Sequence, residues 1–191
     1  MAELTSLEIS GSWLFQSPVH KDERGYFTEW FKSDLFEKVV GKKFNLAQSN
    51  ISKSGKGVLR GIHFSIAKVG QAKWVTCVTG SIWDVVIDIR PNSPTFKKWT
   101  AVQLDAGSGK SIYISEGLAH AFLALEDETT ISYLLSSPYS PSEELAINPK
   151  DPELAINWPL TELKISDKDQ KAPFLAELVD TLRKSPNHAQ D

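Results

Sequence analysis

From Gly57 to about Ser137 the chain reads as one strand after another, with runs rich in Val, Ile, Trp and Thr broken by turn residues at roughly eight- to twelve-residue spacing. That rhythm predicts a sandwich or barrel. Between Ser81 and Arg90 the alternation sets Ile82, Asp84, Val86 and Asp88 on one face and Trp83, Val85, Ile87 and Ile89 on the other. One face is then apolar and the other partly polar, fit to line a cavity. Turns are expected at Thr79-Gly80-Ser81, at Pro91-Asn92-Ser93-Pro94 and at Asp105-Ala106-Gly107-Ser108-Gly109. Helical signals stay at the ends. Ser33 is placed to cap a short helix through Val40 with Gly41 as a left-handed terminator, and Pro173 to open a helix carrying Phe174, Leu175, Leu178, Val179 and Leu182 on one stripe. The last few residues read as a frayed polar tail. Without repeats or linkers, the chain is expected to be one domain over residues 1–191, with a barrel core at about 45–140, N-terminal strands and a short helix in 1–44, and a C-terminal segment and helix in 141–191.

Composition narrows the function. A net charge of −3 over 191 residues argues against a broad nucleic-acid-binding face, while leaving room for a local anion pocket. The single cysteine, Cys77, excludes an internal disulfide and multi-cysteine metal schemes, and its apolar surroundings suggest a buried inert thiol. No apolar run approaches membrane-spanning length and the N-terminus shows no secretory pattern, so a soluble cytoplasmic protein without membrane partners is expected. The sequon at Asn50-Ile51-Ser52 carries no weight in that setting.

Gly107-Ser108-Gly109-Lys110-Ser111 ends like a phosphate-binding loop, but Leu104 stands where the first glycine belongs and a strand-like Ile112-Tyr113-Ile114 follows, so a hairpin turn is expected. His63 and His120 lie in strand-like apolar runs, where an imidazole needs a partner. A metal is disfavoured: His63 is followed by Phe64 and Ser65 rather than by a second histidine, which leaves too few ligands. A general base oriented by a carboxylate is the better reading, with Asp84, Asp88, Asp167 and Asp169 all open as that carboxylate. Lys73, ahead of Trp74 and Val75, reads either as a cation beside a developing oxyanion or as an edge lysine in water, and Tyr133 either as a proton donor or as a core tyrosine. Arg24 and Arg60 each adjoin a glycine, which allows close backbone approach to an anion.

Taken in order, Asp22-Glu23-Arg24-Gly25-Tyr26-Phe27-Thr28-Glu29, Gln48-Ser49-Asn50, Leu59-Arg60-Gly61-Ile62-His63, Ser93-Pro94-Thr95-Phe96, Gly117-Leu118-Ala119-His120-Ala121-Phe122 and Ser166-Asp167-Lys168-Asp169 resemble the dTDP-4-dehydrorhamnose 3,5-epimerase family. The likeness runs from about residue 8 to about residue 176. It implies an all-β, cupin-like jelly-roll barrel of two antiparallel sheets with short flanking helices. It also implies a homodimer that works without metal or cofactor on a dTDP-4-keto-6-deoxy sugar nucleotide. By the same resemblance His63 is the general base, Asp169 its partner, Lys73 the cation at the enolate oxygen and Tyr133 the acid on the opposite face. Arg24, Phe27, Glu29, Gln48, Asn50, Arg60, His120, Tyr139 and Lys168 fall at substrate-binding positions, with Arg24 and its neighbours reaching the partner subunit's site.

Three stretches depart from the family's commoner residues: Tyr133-Leu134-Leu135-Ser136-Ser137-Pro138-Tyr139, Ile147-Asn148-Pro149-Lys150-Asp151-Pro152, and Phe64-Ser65 in place of a tyrosine and a glutamine that border the sugar. The first two look more like epimerases of antibiotic deoxysugar pathways, some of which invert one centre, so inversion at carbon 3, carbon 5 or both stays open. The alternatives are a non-catalytic sugar-nucleotide-binding jelly roll and a keto-sugar ketoisomerase.

Overall fold

A computed structural model describes residues 1–189. In chain order the elements are β1 (Glu3–Ser6), β2 (Ser12–Gln16), β3 (Val19–Asp22), β4 (Gly25–Thr28), α1 (Ser33–Val40), β5 (Gln48–Ser54), β6 (Val58–Ser65), β7 (Lys73–Thr79), β8 (Ser81–Asp88), β9 (Trp99–Asp105), β10 (Lys110–Ile114), β11 (Leu118–Ala124), β12 (Thr129–Leu135), β13 (Glu144–Ala146), β14 (Lys164–Ile165), α2 (Asp167–Gln170) and α3 (Leu175–Lys184). The first sheet runs β1-β2-β10-β7-β12-β5 and the second β13-β6-β11-β8-β9, with β14 also on β6. All pairings are antiparallel except β14 with β6. The two sheets face each other as a cupin-like jelly roll. The β3–β4 hairpin belongs to neither sheet.

Three apolar clusters follow from the two-residue period of the strands. Val75, Cys77, Ile82, Val86, Ile112 and Phe122 point between the sheets. The outer face of the second sheet, with Ile62, Phe64, Val85, Ile87 and Ala121, is covered by Ile147, Leu154, Leu175 and Leu182 of the C-terminal segment. On the outer face of the first sheet, Phe15, Trp74 and Tyr113 lie under Phe36 of α1. Both faces of β8 are therefore buried, and its acidic positions divide. Asp84 is fully buried against the His120 imidazole, whereas Asp88 is held by Arg90, Ser93 and Thr95.

Several local expectations are revised. Ser33 is the first residue of α1 and does not cap it. Lys32 occupies the cap position without a side-chain hydrogen bond, while Gly41 ends the helix in the left-handed conformation as expected. The cap of α3 is Phe174, whose N–H donates to the Glu177 carboxylate at 2.8 Å. Asp105 to Lys110 is a turn, but not a hairpin turn: it carries the chain from β9 in the second sheet to β10 in the first. Gly109 is required there, because a Cβ would lie 2.3 Å from the Ser17 carbonyl oxygen. Likewise β1 and β2, N-terminal strands set apart from a barrel core at about 45–140, are strands of the first sheet itself. Nor is the tail frayed over residues 185–189. His188 is fully buried, edge-on to Phe64 at 5.6 Å and hydrogen-bonded to Ser185 at 2.8 Å, and Asn187 donates to the Ala67 carbonyl. Gln190 and Asp191 lie outside the described residues.

Candidate active site

Between the sheets lies a cavity of about 590 Å³, a size suited to a ligand larger than a bare sugar. Its walls come from β5, β7 and β12 of the first sheet, from β6, β11 and β13 of the second, and from the β14–α2 segment. His63 on β6 and His120 on β11 are direct cross-strand partners. Each imidazole meets its own aspartate.

The His63 Nε2 lies 2.8 Å from the Asp169 Oδ1. Asp169 sits in the single turn of α2, which is held by the Ser166 hydroxyl accepting the Asp169 N–H at 3.1 Å. Burial pushes the Asp169 carboxyl up, but hydrogen bonding to His63 and the His63 charge, helped by Ser166 and the Gly61 N–H, hold it below its ordinary value. An ionised carboxylate only accepts, so Nε2 carries a hydrogen, and in the neutral form of the ring the lone pair is then on Nδ1. The Asp169 side chain is 6% exposed and that of His63 31%, which leaves the ring open to the cavity. The neighbouring pair is more enclosed, with His120 Nε2 2.8 Å from Asp84 Oδ2 and side-chain exposures of 10% and 0%.

The four aspartates left open by the sequence thus have four fates. Asp169 serves His63, Asp84 serves His120, Asp88 serves Arg90, and the Asp167 side chain is 92% in solvent. Lys73, the first residue of β7, is not an edge lysine in water: its side chain is 11% exposed and its ammonium stands 3.9 Å from the Glu144 carboxylate. Burial pulls its pKa down, while Glu144 and then Asp84 hold it up. Tyr133 on β12 faces the same cavity, and burial raises its phenol.

Gln48, Asn50, Arg60, His120, Tyr139 and Lys168 also line the cavity. Gln48 donates to Asn50 at 2.9 Å and accepts the Tyr139 N–H at 2.9 Å, and the Arg60 guanidinium is fixed by the Ser54 hydroxyl at 3.1 Å and the Lys53 carbonyl. Gly61 beside it makes room for a strand rather than for an anion, since a Cβ would fall 2.5 Å from that of Ala121. Arg24, Phe27 and Glu29 are not brought to this cavity. Arg24 pairs with Asp22 at the tip of the exposed hairpin, Phe27 is 65% exposed, and Glu29 pairs with Lys32.

Phe64 and Ser65 do not border the cavity either. Strand alternation turns Phe64 away into the cluster beneath the C-terminal segment, and the Ser65 hydroxyl accepts the Ala67 N–H. Glu144, Lys164 and Gln71 line the site and escaped the sequence reading. The only signal was the carboxylate itself in Ser142-Glu143-Glu144-Leu145-Ala146, a strand too short for periodicity to mark. Among the described residues no three His, Cys, Asp or Glu side chains are grouped to hold a metal ion, and no helix is long and apolar enough to cross a membrane.

The family model described as dTDP-4-dehydrorhamnose 3,5-epimerase matches residues 6–177. A dTDP-4-dehydrorhamnose 3,5-epimerase of Mycolicibacterium smegmatis is 50% identical over 172 residues, covering 90% of this chain and 85% of the relative. The solved 4-keto-6-deoxy sugar epimerase from the novobiocin biosynthetic gene cluster of Streptomyces spheroides superposes with a TM-score of 0.94 at 43% identity, over 99% of this chain and 94% of the other. A 3'-monoepimerase from Streptomyces bikiniensis in complex with dTDP-quinovose follows at 0.89 and 43%, over 93% and 90%.

Proposed function

The chain belongs to the dTDP-4-dehydrorhamnose 3,5-epimerase family, and on that premise we propose how its cavity carries out the reaction. It is an epimerase of dTDP-linked 4-keto-6-deoxy sugars, a class whose members serve deoxysugar and antibiotic biosynthesis. The ketone at carbon 4 acidifies the protons on carbons 3 and 5, so the reaction needs a base, an electrostatic partner for the enolate oxygen, and an acid on the other ring face. His63 Nδ1 removes the proton, and Asp169 stabilises the imidazolium that forms. Lys73 holds the enolate oxygen. Tyr133 returns a proton to the same carbon from the far side, which inverts the centre, and the phenolate is reprotonated from solvent while His63 gives up its proton. The 4-keto group supplies the acidity itself, so the scheme calls on no cofactor. Arg60 and Lys168 receive the diphosphate and orient the sugar.

The observation that carries this reading is the position of acid and base on opposite walls. His63 stands on the second sheet and Tyr133 on the first, so a ring between them presents a different face to each. The isolated hairpin with Arg24 and Phe27 supports a homodimer in which each chain extends its hairpin toward the other's diphosphate. A cytoplasmic location fits a chain whose one cysteine is a free buried thiol. Incubation with dTDP-4-keto-6-deoxyglucose in deuterated water, followed by NMR, tests the reading. We expect deuterium to enter with inversion at carbon 3, at carbon 5 or at both, and the pattern assigns the regiochemistry. Absence of exchange at both carbons would refute the assigned roles.

A further inference from the structure

One carboxylate of the cavity, Glu144, has no part in the steps above. Glu144 projects from β13 of the second sheet and Lys73 from β7 of the first, so their 3.9 Å contact spans the gap between the sheets. Both side chains are about nine-tenths buried, at 10% and 11% exposure. We propose that Glu144 is a positioning residue, a counter-ion that keeps Lys73 protonated and aimed into the cavity in the working pH range. The proposal rests on the reading of Lys73 as the enolate's partner.

An ammonium this far from water keeps its proton only if an anion stands close. The other charged or titratable groups around the cavity offer little. Asp84 is engaged with His120, Asp169 with His63, and Arg60, Lys164 and Lys168 add repelling cations. Tyr133 is neutral in its buried setting, its phenol raised rather than lowered. Glu144 is thus the carboxylate that Lys73 does not share with an imidazole. Short β13 exists to put it there: Glu144 pairs with Ser65 and Ala146 with His63, so the strand that flanks the base also delivers the counter-ion.

The sign of the effect is fixed. Without Glu144 the Lys73 pKa falls, the cation is lost at lower pH, and activity is lost on the alkaline side while the acid side suffers least. In E144Q, with lysines labelled by carbon-13 at Cε and the Lys73 signal assigned by its absence in K73R, that signal should titrate about one pH unit lower than in the wild type. The alkaline limb of kcat/KM should move with it, with kcat reduced above that pH and dTDP affinity unchanged. E144D, which keeps the charge, should fall between wild type and E144Q. If E144Q fails to bind dTDP and is therefore misfolded, the E144D titration decides alone. An unmoved Lys73 titration in the folded variants would overturn the proposal. K73M separates the two layers of argument: its loss of turnover with an unmoved titration would overturn the Glu144 role only, whereas retained turnover would overturn the assignment of Lys73 and the proposal with it.

Discussion

In the proposed mechanism, truncating the imidazole of His63 removes a base that acts only while a carbon–hydrogen bond is breaking. H63A should therefore lower kcat by about a thousandfold, while the dissociation constant for dTDP, measured by calorimetry, stays within about twofold. D169N should act in the same direction, because an amide keeps the shape beside Nε2 but cannot stabilise an imidazolium. Full turnover in either variant would remove the dyad from the mechanism. Asp169 is held below the ordinary carboxylate range, so it remains an anion in mildly acid solution. At this scale the residues by themselves were legible in kind but not in partnership, and only the family resemblance singled out Asp169 beside His63. The chemistry of Asp84, Asp88, Asp167 and Asp169 is the same on paper, and tertiary placement gives them His120, an arginine network, water and His63.

Among the elements, the C-terminal tail after α3 carries a pH dependence. Its His188 is pushed down to about 4 by burial and by the Arg90 charge, against a weaker pull from Asp88. The undocked tail takes up a proton near 6.5 that the docked tail refuses. Docking strength is therefore complete above that pH and declines by up to about 3 kcal/mol as pH falls toward 4. Hydrogen exchange of the amides from Asn187 to Ala189, corrected for intrinsic rates, should show protection falling between pH 7 and 5. H188L should abolish the dependence, and equal protection at both pH values would contradict the account. The longer strands and α3 could be read from periodicity, since five to ten residues suffice to show a repeat, and the end of α1 from Gly41. The two- and three-residue strands β14 and β13 could not, and they exist only because β6 offers them an edge. The turn from Asp105 to Lys110 was visible by composition, yet which sheet follows it is decided by long-range pairing that no local pattern encodes.

At the scale of the whole molecule, the hairpin outside both sheets makes a prediction about assembly. R24A should raise KM with little change in kcat, because Arg24 is assigned to anchoring rather than to proton transfer. If each chain lends that hairpin to its neighbour, mixing and reassociating inactive H63A with a triply substituted R24A/F27A/E29A chain should restore about a quarter of the sites, as expected for random two-fold pairing. No recovery beyond the sum of the separate proteins would show that the hairpin serves its own chain. The fold class was open to sequence reading because strand alternation is a local property. The isolation of the β3–β4 hairpin from both sheets was not, since nothing local tells a strand pair that it will find no sheet of its own. A different consequence follows from Cys77, the single thiol, which is 5% exposed in the packing between the sheets and raised to about 11 by burial. Thiolate is the form that alkylating reagents attack, so labelling must wait until the sheets part. The protein therefore carries its own stopwatch for opening, readable by mass in native buffer, with no probe to engineer.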